Sequence, residues 1–256
     1  MEEFISVQDS FKKLSVVAFE LSTRCTSEEL HKTACPIWYL RQQYDGYLDM
    51  NLIFKVCINL HPNTTIYFHI YNEPSVDCRL SYIIHYLREH LHLTNNISLH
   101  TNGWGIDDVV IKNLYELGCD EFICSIYSDK DLDYFQKIKN KLNIPNIKIR
   151  LYRQTLDDRL SIYTAQDCSE EDWKNIFGID FNCYGALINT LPISATGDII
   201  LCEMDSKRTV IFGNLNIDNF ENIFKNRINF YNKLSNNKLI TEPCRGCCGF
   251  FPGDKK

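Results

Sequence analysis

The sequence predicts an α/β fold: a parallel sheet with crossover helices, closed into a barrel or part of one, followed by a small hairpin-and-helix segment. Three observations predict it. Strand-like and helix-like segments alternate about five times before residue 155. The 256 residues suit one large α/β domain, or a medium domain with a small appendix. From about residue 181 the pattern changes to cysteine-bearing hairpin sequence. The expected division is therefore a barrel over 1–180 and a second domain over 181–256.

Each element has its own signal. Residues 14–21 are rich in Val, Phe and Leu and read as a strand. A polar loop carrying Cys25 and Cys35 follows. Residues 38–60 read as helix, with Leu48, Leu52, Ile53 and Val56 at mostly helical spacing, and Pro62-Asn63 ends it. Residues 64–71 form a β-branched and aromatic strand. A helix over 77–91 places Leu80, Ile83, Ile84 and Leu87 on one face. A short strand at 97–100 leads into the loop Thr101-Asn102-Gly103. Residues 107–117 are helical and stop at Gly118. A strand at 121–126, a helix at 130–142 and a strand at 147–152 complete the alternation. In the second segment Thr196-Gly197-Asp198 reads as a hairpin turn, residues 209–215 as a strand and 220–234 as a helix. In parallel α/β folds the chemistry sits in loops after the carboxyl ends of strands. Cys25, Tyr71-Asn72-Glu73-Pro74 and Thr101-Asn102-Gly103 fall in such loops.

Composition excludes several classes of function. The chain is 45% hydrophobic and 23% charged, with net charge −6 and scattered Lys and Arg, which argues against a nucleic-acid-binding surface. Glu2, Glu3, Asp9, Lys12 and Lys13 interrupt any apolar run near the start, so no secretory signal is read there. No stretch has membrane-spanning length. The expected location is the cytoplasm, where thiols stay reduced, so a disulfide framework does not account for 12 cysteines. They are either buried thiols or metal ligands.

Spacing divides them. Cys244 and Cys247 form a C-x2-C pair, which brings two sulfurs to one centre from a single turn. Gly197 marks the hairpin that returns the chain to Cys202. With Cys183, these make a four-thiolate set suited to zinc or an iron–sulfur cluster, and ligand type alone does not choose between them. A segment of this size buries little core by itself, and a metal centre would hold it together.

Cys183, Gly197, Cys202, Gly213-Asn214-Leu215, Cys244 and Cys247, in that order, resemble the twitch domain, a shortened SPASM domain. Twitch domains follow the barrel in one branch of the radical S-adenosylmethionine enzymes. The resemblance covers about 70 residues. It implies that Cys183, Cys202, Cys244 and Cys247 hold an auxiliary [4Fe-4S] cluster. The first part of the chain resembles the same family, whose fold is a partial (β/α)6 TIM-like barrel. Tyr71-Asn72-Glu73-Pro74 stands where the family has a Gly-Glu-Pro-like motif that binds the amino group of S-adenosylmethionine, with Asn in place of Gly. Asn-Glu-Pro is also ordinary turn chemistry. Asn102, Ser125 and Arg150 stand where family members place further cofactor contacts, in the latter two to ribose and carboxylate.

The first cysteine loop departs from the family's C-x3-C-x2-C. Here nine residues lie between Cys25 and Cys35, and Trp38 occupies the place of the third cysteine. The third ligand of a first [4Fe-4S] cluster is then His31, a distant thiol such as Cys57 or Cys78, or absent. Imidazole in place of thiolate raises a cluster's potential, which works against reductive cleavage of a sulfonium. Trp38 could stack on adenine or belong to the core. Cys57, Cys78, Cys119, Cys124 and Cys168 have no ligand spacing and read as inert thiols. Cys248 adjoins Cys247 and is a candidate hydrogen-atom donor to a substrate radical.

The implied function is reductive cleavage of S-adenosylmethionine to a 5′-deoxyadenosyl radical, which abstracts hydrogen from a small polar substrate or a peptide. Epimerisation of a sugar or aminoglycoside and oxidation of an alcohol are the outcomes considered. An external electron donor such as flavodoxin or ferredoxin is implied. The short sequence before the first strand leaves little room for a peptide-leader domain and favours a small substrate. The alternative is a degenerate barrel whose metal site is structural.

Overall fold

The computed structural model describes residues 6–26, 44–142, 148–153, 189–203, 205 and 207–235. Eight strands form one sheet: β1 (Val16–Phe19), β2 (Thr65–Tyr67), β3 (Ile97–Thr101), β4 (Glu121–Ile126), β5 (Lys148–Arg153), β6 (Thr190–Ile193), β7 (Asp198–Ile200) and β8 (Ile211–Asn214). The order across the sheet is β5-β4-β3-β2-β1-β6-β7-β8. All pairs from β5 through β1 to β6 are parallel, and the β6–β7 and β7–β8 pairs are antiparallel. The helices are α1 (Val7–Lys12), α2 (Met50–Cys57), α3 (Leu80–Glu89), α4 (Asp108–Glu116), α5 (Asp129–Leu142) and α6 (Phe220–Ser235).

Alternation along the strands separates two faces. Val17, Phe19, Ile66, Leu99 and Phe122 are fully buried in the main core, together with Ile53 and Val56 of α2, Ile83, Ile84 and Leu87 of α3, and Ile111 of α4. Ala18, Ile70, Tyr71 and Ile200 form a separate, smaller cluster against which Cys25, Tyr44 and Tyr67 pack. Parallel strands need cover on both faces, and these two apolar groups provide it.

The elements start where cap chemistry dictates. The Asp49 carboxylate accepts from Asn51 N, so α2 begins at Met50. The predicted helix over 38–60 is therefore too long in its described part: residues 44–49 are irregular, and Tyr47 bridges to Ser22. Asp107 caps α4 through Val110 N at 2.8 Å. The helix read over 77–91 spans only Leu80–Glu89: the Asp77 carboxylate accepts from Arg79 N at 2.9 Å, so residues 77–79 form a turn ahead of it. The strand read over 64–71 ends at Tyr67, where Asn72 folds back onto its own chain: its Oδ1 accepts from Ile70 N and its Nδ2 donates to Phe68 O. Helix α1, capped by Ser6, was not anticipated.

The second segment does not depend on a metal alone for its core. Its strand β6 pairs with β1 along four residues, Val16 to Phe19 against Thr190 to Ile193. Leu191, Ile193, Ile199, Phe212, Ile223 and Tyr231 join the main core. Phe11 of α1 packs edge-on against Phe220 and Phe224 of α6, at 5.0 and 4.9 Å between ring centroids. The expected boundary near residue 180 falls outside the described residues.

Candidate functional site

The loops after β1, β2 and β3 meet at the carboxyl end of the sheet. Cys25 is half-buried beside Ala18, Ile70, Tyr71 and Ile200. Glu73 N donates to Arg24 O at 2.9 Å, which ties the second loop to the cysteine loop. The Glu73 carboxylate is buried and accepts four hydrogen bonds within the chain. Oε1 takes Ser75 N, Ser75 Oγ and Thr101 Oγ1 at 3.2, 2.8 and 2.8 Å, and Oε2 takes Asn102 N at 2.7 Å. Burial pushes the Glu73 pKa up, and these donors oppose the rise.

Asn102 completes the junction. Its Oδ1 accepts from Thr26 Oγ1 at 3.1 Å and Trp104 N at 2.9 Å, while its Nδ2 donates to Cys25 Sγ at 3.5 Å. Gly103 must be glycine here: its φ is +78°, and an added Cβ would lie 1.8 Å from Phe135 Cζ. Asn72 does not adopt positive φ, so Asn stands in place of the motif's Gly without backbone strain.

A second loop arrives from β7. Cys202 is half-buried, and the Tyr71 hydroxyl donates to the carbonyl of the following residue, Glu203. The Asp205 carboxylate accepts from Thr209 N, Thr209 Oγ1 and Val210 N, which holds Arg208 at φ 52°. Arg208 Nη2 then pairs with Glu20 Oε2, which also accepts Ala195 N at 2.9 Å. Both partners are buried, and the guanidinium lies 5.3 Å from the Tyr44 ring centroid. Burial pushes the Glu20 pKa up, and Arg208 pulls against it.

The described thiols differ in character. Cys57, Cys119 and Cys124 are buried, and desolvation pushes Cys119 and Cys124 up to about 12 and Cys57 higher still. Those three are thiols, not thiolates, at neutral pH. Cys25 and Cys202 are instead half-buried, an exposure that leaves a thiol accessible. Among the described residues no group of three His, Cys, Asp or Glu side chains could hold a metal ion.

Residues 183–248 match SPASM, an iron-sulfur cluster-binding domain. The fold matches that of BtrN in complex with AdoMet and 2-DOIA, with a TM-score of 0.64 and 16% identity over 91% of this chain and 92% of that one. It also matches BtrN in an open conformation, with a TM-score of 0.56 and the same identity and coverage. The chain shares the fold of BtrN, and its residues 183–248 match an iron-sulfur cluster-binding domain. No curated protein matches it in sequence. The α/β part-barrel with a hairpin-and-helix appendix, anticipated from the motifs, is the architecture found.

Within the SPASM segment only Cys202 of the four expected ligands lies among the described residues; Cys183, Cys244 and Cys247 lie outside them, as does Cys248. Cys35, Trp38 and His31 of the first loop are also outside. Cys57, offered as a distant third ligand, is wholly buried in the main core with the helix residues Ile53 and Val56, and Cys78 is exposed. Tyr71 packs with Cys25, Asn102 donates to it and Glu73 is tied to the adjoining Arg24, whereas the Asn72 side chain turns back to Ile70 N and Phe68 O. Ser125 is half-buried on β4, and Arg150 lies on β5 in register with Ile123.

Sequence reasoning missed Glu20, Arg208 and the pair His69 and His100. The imidazoles stack at 5.3 Å, and Tyr67 lies 4.8 Å from His100. Tyr67 packs with the Cys25 cluster, which places these rings on the site's face of the sheet. The available signal was a charged residue, Glu20, continuing an apolar strand, and period-two placement of Tyr67 and His69 among Ile66, Phe68 and Ile70.

Proposed function

We propose that this chain is a radical S-adenosylmethionine enzyme that removes a hydrogen atom from a carbinol carbon of a small polar substrate, leading to oxidation or epimerisation. The observation that carries the reading is that the Cys25 loop and the segment bearing Cys202 touch. Cys25 and Ile200 share one apolar cluster, and Tyr71 reaches the residue after Cys202.

Cys183, Cys202, Cys244 and Cys247 would hold the auxiliary cluster with four thiolates, and Cys25 and Cys35 would give the first cluster two of the three ligands it needs; of these six, Cys25 and Cys202 lie among the described residues. When bound, the first supplies the electron that cleaves S-adenosylmethionine to methionine and a 5′-deoxyadenosyl radical, and the auxiliary cluster takes an electron from the substrate radical. The chain's own residues shape the space between. Ala18, Ile70 and Ile200 exclude water beside Cys25, which protects a radical from quenching. The Tyr71–Glu73 segment, fixed to Arg24 O, presents strand-end backbone to the methionyl amine. His69, His100 and Tyr67 offer hydroxyl-binding groups on the same face. In an epimerase Cys248 would return a hydrogen atom to the substrate.

The test is anaerobic reconstitution, followed by iron analysis and assay of 5′-deoxyadenosine under a strong reductant. About eight irons per chain, as for two Fe4 clusters, with steady 5′-deoxyadenosine release is the expected result. About four irons with no cleavage overturns it and makes the SPASM cluster a structural one.

A further inference from the structure

We propose that the cavity between the loop at 44–49 and the β6–β7 turn is a second binding site, one that takes a neutral polyhydroxylated ring such as a pyranose. None of its lining residues is a cysteine, and the proposal does not depend on the cluster chemistry above.

The cavity has a volume of about 330 Å³. That is at the small end of ligand pockets, which span about 300–1,000 Å³. Both halves of the chain build it. Reciprocal bonds hold the barrel side: Thr23 N donates to Gly46 O and Gly46 N donates to Thr23 Oγ1, each at 3.2 Å. Leu48 N donates to Leu21 O at 2.9 Å. On the other side Asn214 Nδ2 and Asn216 Nδ2 both donate to Thr196 O, at 3.0 and 3.1 Å, and fix the turn. The walls are therefore in place before a ligand arrives, which lowers the cost of binding.

The polar groups left over decide what fits. Asn216 Nδ2 also donates to Asn214 Oδ1, so both its partners are acceptors and the amide has one orientation. Its Oδ1 then has no donor among the described residues. Asp49 uses Oδ1 for Asn51 N, and Asp45 turns Oδ1 to Arg24 Nη2 at 3.5 Å; the second oxygen of each is open. Thr23 is 0% exposed, and its hydroxyl accepts Gly46 N but has no acceptor for its own hydrogen among the described residues. The Tyr44 and Tyr47 hydroxyls also make no hydrogen bond among them. Open acceptors mixed with open hydroxyls call for groups that both give and take hydrogen bonds, as ligand hydroxyls do. Leu48, Leu52 and Ala195 line the same cavity and, with the tyrosine rings, offer apolar surface to the C–H groups of a ring.

Charge argues against a cation in this place. The guanidiniums nearby are each paired: Arg24 with Asp45, Arg79 with Asp77 and Arg208 with Glu20. Asp49 sits at the start of α2, where the helix dipole already offsets its charge. An ion would find no uncompensated partner, whereas a neutral ligand loses nothing by the balance. The site also touches the larger design. Ala195 N donates to Glu20 Oε2, and the Tyr44 ring lies 5.3 Å from the Arg208 guanidinium, so an occupant would rest on the groups that join the two halves.

The experiment is equilibrium dialysis of the full-length chain against labelled methyl glucoside, a readout that general stabilisation by sugars does not mimic. Uptake should saturate with a Kd of about 1 mM, as for a small neutral ligand of ordinary efficiency. Backbone hydrogen exchange at residues 44–48 and 195–197 should slow on binding. A Cβ added at Gly46 meets nothing within 4 Å, so Gly46→Leu obstructs the cavity without a clash at the backbone. Asp49→Asn keeps the cap on α2 but turns one acceptor into a donor. Each should weaken uptake about tenfold, the effect of one lost bond to a charged group. Gly46→Ala, whose single methyl leaves room, should bind as the wild type does. No saturable uptake by the wild type well above that concentration overturns the proposal. So does uptake that both Gly46→Leu and Asp49→Asn leave unchanged, or tighter uptake of ethylammonium than of methyl glucoside. All three outcomes leave the enzyme reading standing, because dialysis uses neither reductant nor S-adenosylmethionine.

Discussion

At the scale of single residues, the cysteines show how environment divides one chemistry into several. Cys119 is wholly buried, and its Sγ donates to Ile97 O and Glu121 O at 3.7 and 3.6 Å. Its pKa rises from 9.0 to about 12. Below about pH 9 both folded and unfolded chains carry the thiol and the stability it contributes is fully present. Above that, the unfolded chain ionises first, so stability is lost as pH climbs towards 12. Denaturant midpoints should fall across this range, and Cys119→Ala should flatten the fall. An identical slope in the variant would assign the loss to other groups. Gly103 shows a second residue-scale constraint. With φ at +78° and Phe135 in contact distance, Gly103→Ala should cost about 3 kcal/mol from strain and overpacking. Chemical denaturation measures it; a cost under about 0.5 kcal/mol, as for a neutral surface change, would show that Phe135 yields.

At the scale of elements, the sequence read well wherever a period was long and clean. Residues 121–126 and the helices at 107–117 and 130–142 fall within a residue or so of β4, α4 and α5. Each has apolar positions that recur on one face and a clear end at a cap or glycine. The failures share a cause: local polar chemistry cut a hydrophobic pattern short. Asp49 started α2 late, the Asn72 side chain closed β2 early, and Asp77 held the first residues of the expected α3 in a turn. The site was legible where a motif was contiguous, as in Tyr71-Asn72-Glu73-Pro74. It was not legible where partners are far apart in the chain. Glu20 lies 188 residues from Arg208, and Thr26 lies 76 from Asn102. Periodicity carries no information about such pairs. The role of Glu73 differs for the same reason: a motif names a carboxylate, and only packing shows which donors fill it.

At the scale of the whole molecule, the barrel and the SPASM segment share a sheet and a core, and one buried ion pair joins their loops. Glu20 follows β1, and Arg208 lies between Cys202 and β8, so their contact fixes the loop after Cys202 against the barrel. Among the described residues Arg208 Nε and Nη1 are buried without hydrogen-bond partners, so the pair is short of the fully bonded arrangement that makes burial favourable. Its Coulomb gain is offset by desolvation, yet removing one partner strands the other. Arg208→Met should therefore destabilise by about 3–5 kcal/mol by leaving Glu20 charged and alone. Adding Glu20→Gln should recover part of that loss, making the double variant more stable than the sum of the two single changes. Because β6 pairs with β1 and Phe11 packs on α6, the loss should appear in one unfolding transition monitored over the entire chain. Additive single costs would mean the two side chains act independently. Two separated transitions would mean that the shared sheet does not bind the halves into one cooperative unit.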